Sequence, residues 1–419
     1  MAGRTRLAPA LSYPAFRLFW AAGAMITSGQ QVGTVVQAWL LFDITGDPLA
    51  LGLLGFARGI PALATNLVGG VLADKFDRRR VVMAGTIGNA AVFLAQALLV
   101  LTGAVQVWHI LGAAVLVGGL QAFEGPARQA IFPHLVSRQH LTNAVSLISA
   151  MNPSVRIFVP IATGFLIDGV GVGYDGAASA MFAVSVLYLG GTAMMLLIHM
   201  PRIERAVGGG IQTMVEGARF LTTHRTLGFL VLMAFVHGIG MSYTTMLPVF
   251  AVEFNVESSG SALGLLFAAG GVGGTLGALI GGALDRRVRP AVLMVGGGVT
   301  FGLALATFSF IPLFGAVLLV LLVASLGNNI FQVTGQSALQ SRVPDSYRGR
   351  VIGFWSMQFI LFVPLGALGL GVVAGAYSTP VALAILGSFV GVFALLGGGL
   401  HAGVRGLGQA GSAEQAKVR

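Results

Sequence analysis

Gly69-Gly70-Val71-Leu72-Ala73-Asp74-Lys75-Phe76-Asp77-Arg78-Arg79-Arg80 places six charges in seven positions between two long apolar runs. A cluster that dense, held by hydrophobic segments on both sides, belongs at a membrane surface. A weaker echo, Gly281-Gly282-Ala283-Leu284-Asp285-Arg286-Arg287-Val288-Arg289-Pro290, lies in the second half of the chain.

The rest of the 419 residues agrees with that setting. Only 9% are charged and 56% are hydrophobic, with a mean hydropathy of +0.87. A soluble domain carries about a quarter charged residues, so this chain cannot coat a water-facing globule. There is no cysteine, which excludes thiol catalysis, disulfides and cysteine-ligated metals.

The net charge of +10 looks like a nucleic-acid signal until the cations are placed. Arg4, Arg6 and Arg17 open the chain, and Arg405, Lys417 and Arg419 close it. Lys75 and Arg78 to Arg80 fill the second gap between apolar runs, Arg128 and Arg138 the fourth, and Arg202, Arg205, Arg219 and Arg225 the sixth. Arg286, Arg287 and Arg289 fill the eighth, and Arg342, Arg348 and Arg350 the tenth. The odd gaps, such as Asp43 to Asp47 and Gly169 to Asp175, have neither Lys nor Arg. The positive-inside rule then puts both termini and every even gap in the cytoplasm. The basic balance is a topology signal, and no nucleic-acid partner is expected.

About 20 apolar residues make a span, and on that ruler twelve are expected: 15–42, 50–73, 81–103, 108–127, 140–168, 177–199, 226–252, 259–284, 290–309, 313–339, 349–375 and 379–401. The first run is too long for the core of a cleavable signal peptide. The 62 glycines suit membrane helices, which approach closely over small residues, and the short alternating segments of a barrel are absent. The expected fold is all-α and polytopic. Between residues 201 and 225, Ile211, Met214, Val215, Ala218 and Leu221 recur at helical spacing with Glu216 and Arg219 off that face. An amphipathic helix on the cytoplasmic surface is favoured there over a plain linker.

A second pair of echoes, Gly125-Pro126-Ala127-Arg128-Gln129-Ala130-Ile131-Phe132-Pro133 and Gly335-Gln336-Ser337-Ala338-Leu339-Gln340-Ser341-Arg342-Val343-Pro344, has almost the same offset as the first. Two landmarks in register predict a duplication: a six-helix unit over 1–200, a linker over 201–225 and a second six-helix unit over 226–419. Parallel repeats of that kind put a substrate site between the halves.

Gly70-Val71-Leu72-Ala73-Asp74-Lys75-Phe76-Asp77-Arg78-Arg79 resembles the loop signature of the major facilitator superfamily, with Asp77 where that family usually has Gly. That Asp77, with Gly125 to Ala130 and Val343 to Val351, is similar to the branch of enterobactin exporters and related siderophore and drug exporters. The resemblance covers essentially the whole chain. It implies twelve helices in two pseudo-symmetric bundles of a bacterial inner-membrane transporter working by alternating access. It also implies proton-driven export of an amphipathic, anionic or drug-like small molecule such as a siderophore. Protons, membrane lipids and the small-molecule substrate are then the expected partners, and the chain is expected to be a monomer. A lipid transporter acting on a lysophospholipid is the alternative within the fold. A transport-inactive sensor or assembly partner is the alternative outside it. That last reading predicts a degraded signature and no embedded charge, and neither is found.

The signature has a physical logic of its own. Asp74 ends the second span, where a carboxylate can meet the positive N-terminus of a neighbouring helix, and Arg78 four residues on can pair with it. Contacts that exist in one arrangement of the halves and break in another make a gate. The expected cytoplasmic gate is Asp74, Arg78, Arg79, Glu124, Arg128, Asp285, Arg286 and Arg348. Without a gating role, the same residues would simply be a basic loop that sets topology.

Embedded charge is costly and marks function by default. Arg58, Glu124 and Arg156 are the three such residues. Glu124 reads either as a proton carrier or as the gate partner of Arg128, Arg78 or Arg79, and its shallow depth favours the gate. Arg156 lies about 24 Å from the cytoplasmic start of its span and Arg58 about 12 Å from the outer end of its own. With no acid at that level, both point to an anionic group on the substrate, against snorkelling to the outer surface. Gln30, Thr34, Gln37, Gln121, His237, Tyr243, Asn328 and Gln332 lie on the spans that line the central cavity in this superfamily. They read as substrate contacts or as interhelical hydrogen bonds. His237 is a second candidate for proton coupling. No catalytic set, nucleotide loop, metal spacing or cofactor motif is present, so an enzyme is not expected.

Overall fold

A computed structural model describes residues 8–73, 77–198, 211–254, 259–284, 287–308 and 310–407. The spans run Pro14–Thr45, Pro48–Ala73, Arg78–Leu101, Val107–Gln129, Leu141–Gly169 and Asp175–Leu196 in the first half. They run Arg225–Glu253, Ser259–Leu284, Pro290–Phe308, Phe314–Gln340, Asp345–Ala376 and Thr379–Gly398 in the second. All twelve expected segments fall on these helices, and no strand occurs among the described residues. Ten of the helices are long and apolar enough to cross a membrane. The other two are the first, which carries Gln30, Gln31 and Gln37 along its 32 residues, and the second, apolar through Pro48–Ala62.

The helices begin and bend where chain chemistry requires it. Asp77 is the N-cap of span 3, its Oδ1 accepting from the Arg79 and Arg80 N–H groups at 2.9 and 3.1 Å. The residue that departs from the family signature is therefore doing capping work that glycine cannot do as well. In span 11, Pro364 has no N–H to give, and the turn ahead of it widens, with Val363 N–H reaching Gln358 O.

Helix pairing repeats between the halves. Span 2 packs on 4, 3 on 4 and 6, and 1 on 5, and in the second half 8 packs on 10, 9 on 10 and 12, and 7 on 11. Between the halves, span 5 lies along span 8 and span 2 along the later part of span 11. Both seams are built on small residues. A Cβ at Gly164 would strike the Gly260 carbonyl, and one at Gly264 the Pro160 carbonyl. At these positions backbone meets backbone, which only glycine permits.

The seams are tight toward the end of the molecule carrying the odd-numbered connections. Gly271, beside the Arg156 carbonyl, is the last glycine of span 8 to touch span 5 on the way inward. Among the described residues, neither span 10 nor Asp345–Met357 packs substantially against the first half. A cavity of about 560 Å³ opens there, lined by Val333, Gln336, Ser337, Gln340, Ser341 and Arg348. Among the described residues, the halves meet closely at the odd-loop end and not at the even-loop end.

The linker helix, Ile211–Thr223, docks on the start of span 11. Glu216, expected on its free face, pairs with Arg350 at 3.1 Å, and Phe220 stacks on Tyr347 at 4.4 Å.

Candidate functional site

Span 5 has two exposed faces on opposite sides. Ser154, Phe158, Ala162 and Phe165 form one and suit lipid. Thr142, Val145, Ser149, Asn152 and Arg156, spaced by three and four, form the other. Arg156 is accessible yet lies deep within the protein body, and its guanidinium bonds to nothing among the described residues. Its face is opposite the one that suits lipid.

Arg58 has a different setting. It extends into the first bundle, where its Nη1 donates to Thr34 Oγ1 at 2.8 Å. Its Nε and Nη2 are buried without an acceptor. Nearby, Gln121 Nε2 donates to the Tyr188 hydroxyl at 3.2 Å, and that hydroxyl is within Coulombic range of Glu124, Arg58 and Arg128. Glu124 is 0% exposed and neither carboxylate oxygen has a partner. Gly85 of span 3 lets the Glu124 stem in, since a Cβ there would lie 3.2 Å from the Glu124 Cβ. Gln37 bonds Gln96 at 2.8 Å, and both amide atoms of Asn89 are unpaired. Gln30 is half-buried, its carbonyl accepting from Thr34 Oγ1 at 2.8 Å.

Three polar pairs of the second bundle satisfy one another, while the Thr334 hydroxyl is buried without a partner. His237 is buried, stacked on Phe331 at 4.0 Å, with its Nε2 2.7 Å from Asn328 Oδ1. Tyr243 and Ser325 share a hydrogen bond of 3.1 Å. Gln332 and Gln358 exchange bonds at 2.8 and 3.2 Å.

At the even-loop end the expected gate is dispersed. Arg78 donates to the Ala130 carbonyl at 3.4 Å and Arg79 to that of Leu196 at 2.6 Å. Arg128 reaches Gly23 O and Thr27 Oγ1 at 3.5 and 3.4 Å. Arg348 pairs within its own helix, with Asp345 at 2.5 Å. Asp74, Asp285 and Arg286 lie outside the described residues. Among those described, no group of His, Asp or Glu could hold a metal ion.

Two bundles pair their helices alike and meet along glycine seams, with polar side chains gathered inside the spans. The family described as transmembrane secretion effectors matches residues 4–405. The chain belongs to the major facilitator superfamily. It is 27% identical over 383 residues to the enterobactin exporter EntS of Citrobacter koseri, covering 90% of this chain and 89% of that protein. It is 28% identical over 396 residues to EntS of Escherichia coli, covering 92% of each. A bacterial homologue of the human lysosomal transporter Spinster, in an inward-facing and unoccupied conformation, superposes with a TM-score of 0.75 at 15% identity. That match covers 97% of this chain and 98% of the other. The protein is thus a multi-pass membrane transporter of the major facilitator type.

Asn89, Gln96 and Tyr188 were not singled out by sequence reasoning. Asn89 and Gln96 are one heptad apart in an apolar helix, a readable sign of an interior polar stripe. Tyr188 gave no such sign; only the fold brings span 6 beside Gln121.

Proposed function

We propose that the protein is a proton-coupled exporter of an amphipathic, anionic small molecule, with siderophore-like molecules as the leading class. It works by alternating access in a bacterial inner membrane, with the even connections and both termini in the cytoplasm. The observation that carries the reading is Arg156, a guanidinium on an exposed polar face of span 5 with no hydrogen-bond partner among the described residues. A cation without a protein partner calls for an anionic one from the ligand. The enterobactin exporters among the relatives support the direction and the substrate class.

Glu124 supplies the coupling step in this reading. In the cytoplasm-closed arrangement it meets the loop arginines Arg78 and Arg79. In the open one those arginines bond to carbonyls and the buried Glu124 oxygens have no hydrogen-bond partner, so this arrangement is assigned to the protonated acid. Opening and proton uptake then become one event.

The test is transport in proteoliposomes that report internal pH. A catecholate siderophore should move and drive counter-flow of protons, and Arg156→Ala should reduce its uptake by about tenfold or more, the order of one charge-assisted contact. Movement of a lysophospholipid without proton flux would replace this reading with the lipid one.

A further inference from the structure

The tight end of the molecule holds a contact that the transport reading does not use. Asp168 sits in the last turn of span 5, Leu141–Gly169. A carboxylate there faces the negative end of its own helix, which is unfavourable. Its oxygens are instead aimed across the seam at the start of span 8. Oδ1 accepts from Gly260 N–H at 2.9 Å and Oδ2 from Ser261 N–H at 2.6 Å. The first N–H groups of a helix have no partner within it, so one half of the protein caps a helix of the other. Gly260 is required for the approach, because a Cβ there would lie 2.6 Å from the Asp168 oxygen.

A second bond braces the same helix start. Trp39, at the outer end of span 1, donates Nε1–H to Ser259 Oγ at 3.0 Å. The indole is held edge-on by Tyr174 at 6.3 Å, and Tyr174 in turn bonds Asp43. Three consecutive residues of span 8, Ser259, Gly260 and Ser261, are thus held by spans 1 and 5.

We propose that Asp168 is the outer latch of the transport cycle, a positioning residue whose helix-capping bonds hold the odd-loop end shut and must break before that end opens. The inference rests on the alternating-access reading. It assigns to the outer side a device of the same physical kind as the one expected of Asp74 on the inner side: a carboxylate of one half capping a helix of the other.

The chain has no native cysteine, so spin labels can be placed without removing any. One labelled pair, Val172→Cys with Phe310→Cys, uses exposed positions in the two halves at the odd-loop end. A second, Gln139→Cys with Ser346→Cys, does the same at the even-loop end. Asp168→Asn keeps the shape but replaces one acceptor with a second donor. It should raise the long-distance population of the outer pair about tenfold, the effect of losing one charge-assisted bond, and shorten the inner pair in step. An unchanged outer distribution in a folded D168N protein overturns the latch. Trp39→Phe, which removes only the brace, should shift the same distances less. If D168N does not fold, Gly260→Ala, whose Cβ would lie 2.6 Å from Asp168 Oδ1 and displace it, is read instead, and an unchanged outer distribution there overturns the proposal. Wild-type protein that shows one fixed distance at both ends, with and without substrate, overturns alternating access itself, a distinct result.

Discussion

The two bundles share a helix pattern but differ inside. In the second, His237 with Asn328, Tyr243 with Ser325 and Gln332 with Gln358 are neutral pairs that satisfy one another. In the first, both Glu124 oxygens, both Asn89 amide atoms, two of the three Arg58 nitrogens and one atom each of Gln37 and Gln96 are buried without partners, against the single Thr334 hydroxyl among the spans of the second. Unsatisfied polar groups in a buried site are expensive, and they persist where a second state or a ligand satisfies them. In the proposed cycle, the first bundle carries the exchangeable charge and the second serves as its counterpart. The duplication preserved the packing and let the interior chemistry diverge.

The sharpest test of that division is Glu124→Gln. It keeps size and hydrogen-bonding capacity but cannot exchange a proton. Proton-coupled transport should fall by at least about tenfold, while substrate binding in a fluorescence titration changes little. Equal losses in binding and coupling would mean that Glu124 is a structural residue. Arg58→Met should come next. A hydrophobic side chain of similar length removes two buried, unpaired N–H groups, so Tm should stay level or rise, by about 1–3 kcal/mol of stability, while transport falls. A clear drop in Tm would show that the Arg58 guanidinium has partners that stabilise the resting fold.

How much of this could be read from the sequence varies by physical origin. The spans follow from hydropathy, which is local along the chain, and the helices lie where they were expected. The Gly-Gly…Asp-Arg repeat likewise forecast two like bundles. Pairing was not legible. Arg58 and Arg156 looked alike in sequence, both cationic and both in the outer half, yet one reaches Thr34 inside a bundle and the other is exposed with no hydrogen-bond partner among the described residues. Side-chain direction depends on which neighbours the helix finds. His237 looked titratable and exposed to the pathway, but Phe331 and Asn328 enclose it. Asp168 drew no notice because its partner is a helix start some ninety residues away, and a capping acceptor supplied from another helix leaves no local pattern.

The smallest expected effect lies in the second bundle and checks that its pairs serve the fold alone. His237→Phe should leave transport and its pH profile unchanged, since the imidazole is sealed from the cavity. It strands Asn328 Oδ1, so stability should fall by about 1–3 kcal/mol, the cost of an unpaired buried acceptor. Adding Asn328→Leu removes that stranded group and should restore most of the loss, because replacing both partners by apolar groups is far less costly than deleting one. The double-mutant cycle is read in Tm. If instead His237→Phe alters the pH profile of transport, protons pass through both bundles, and the contrast between a charged half and a neutral one no longer describes how the protein works.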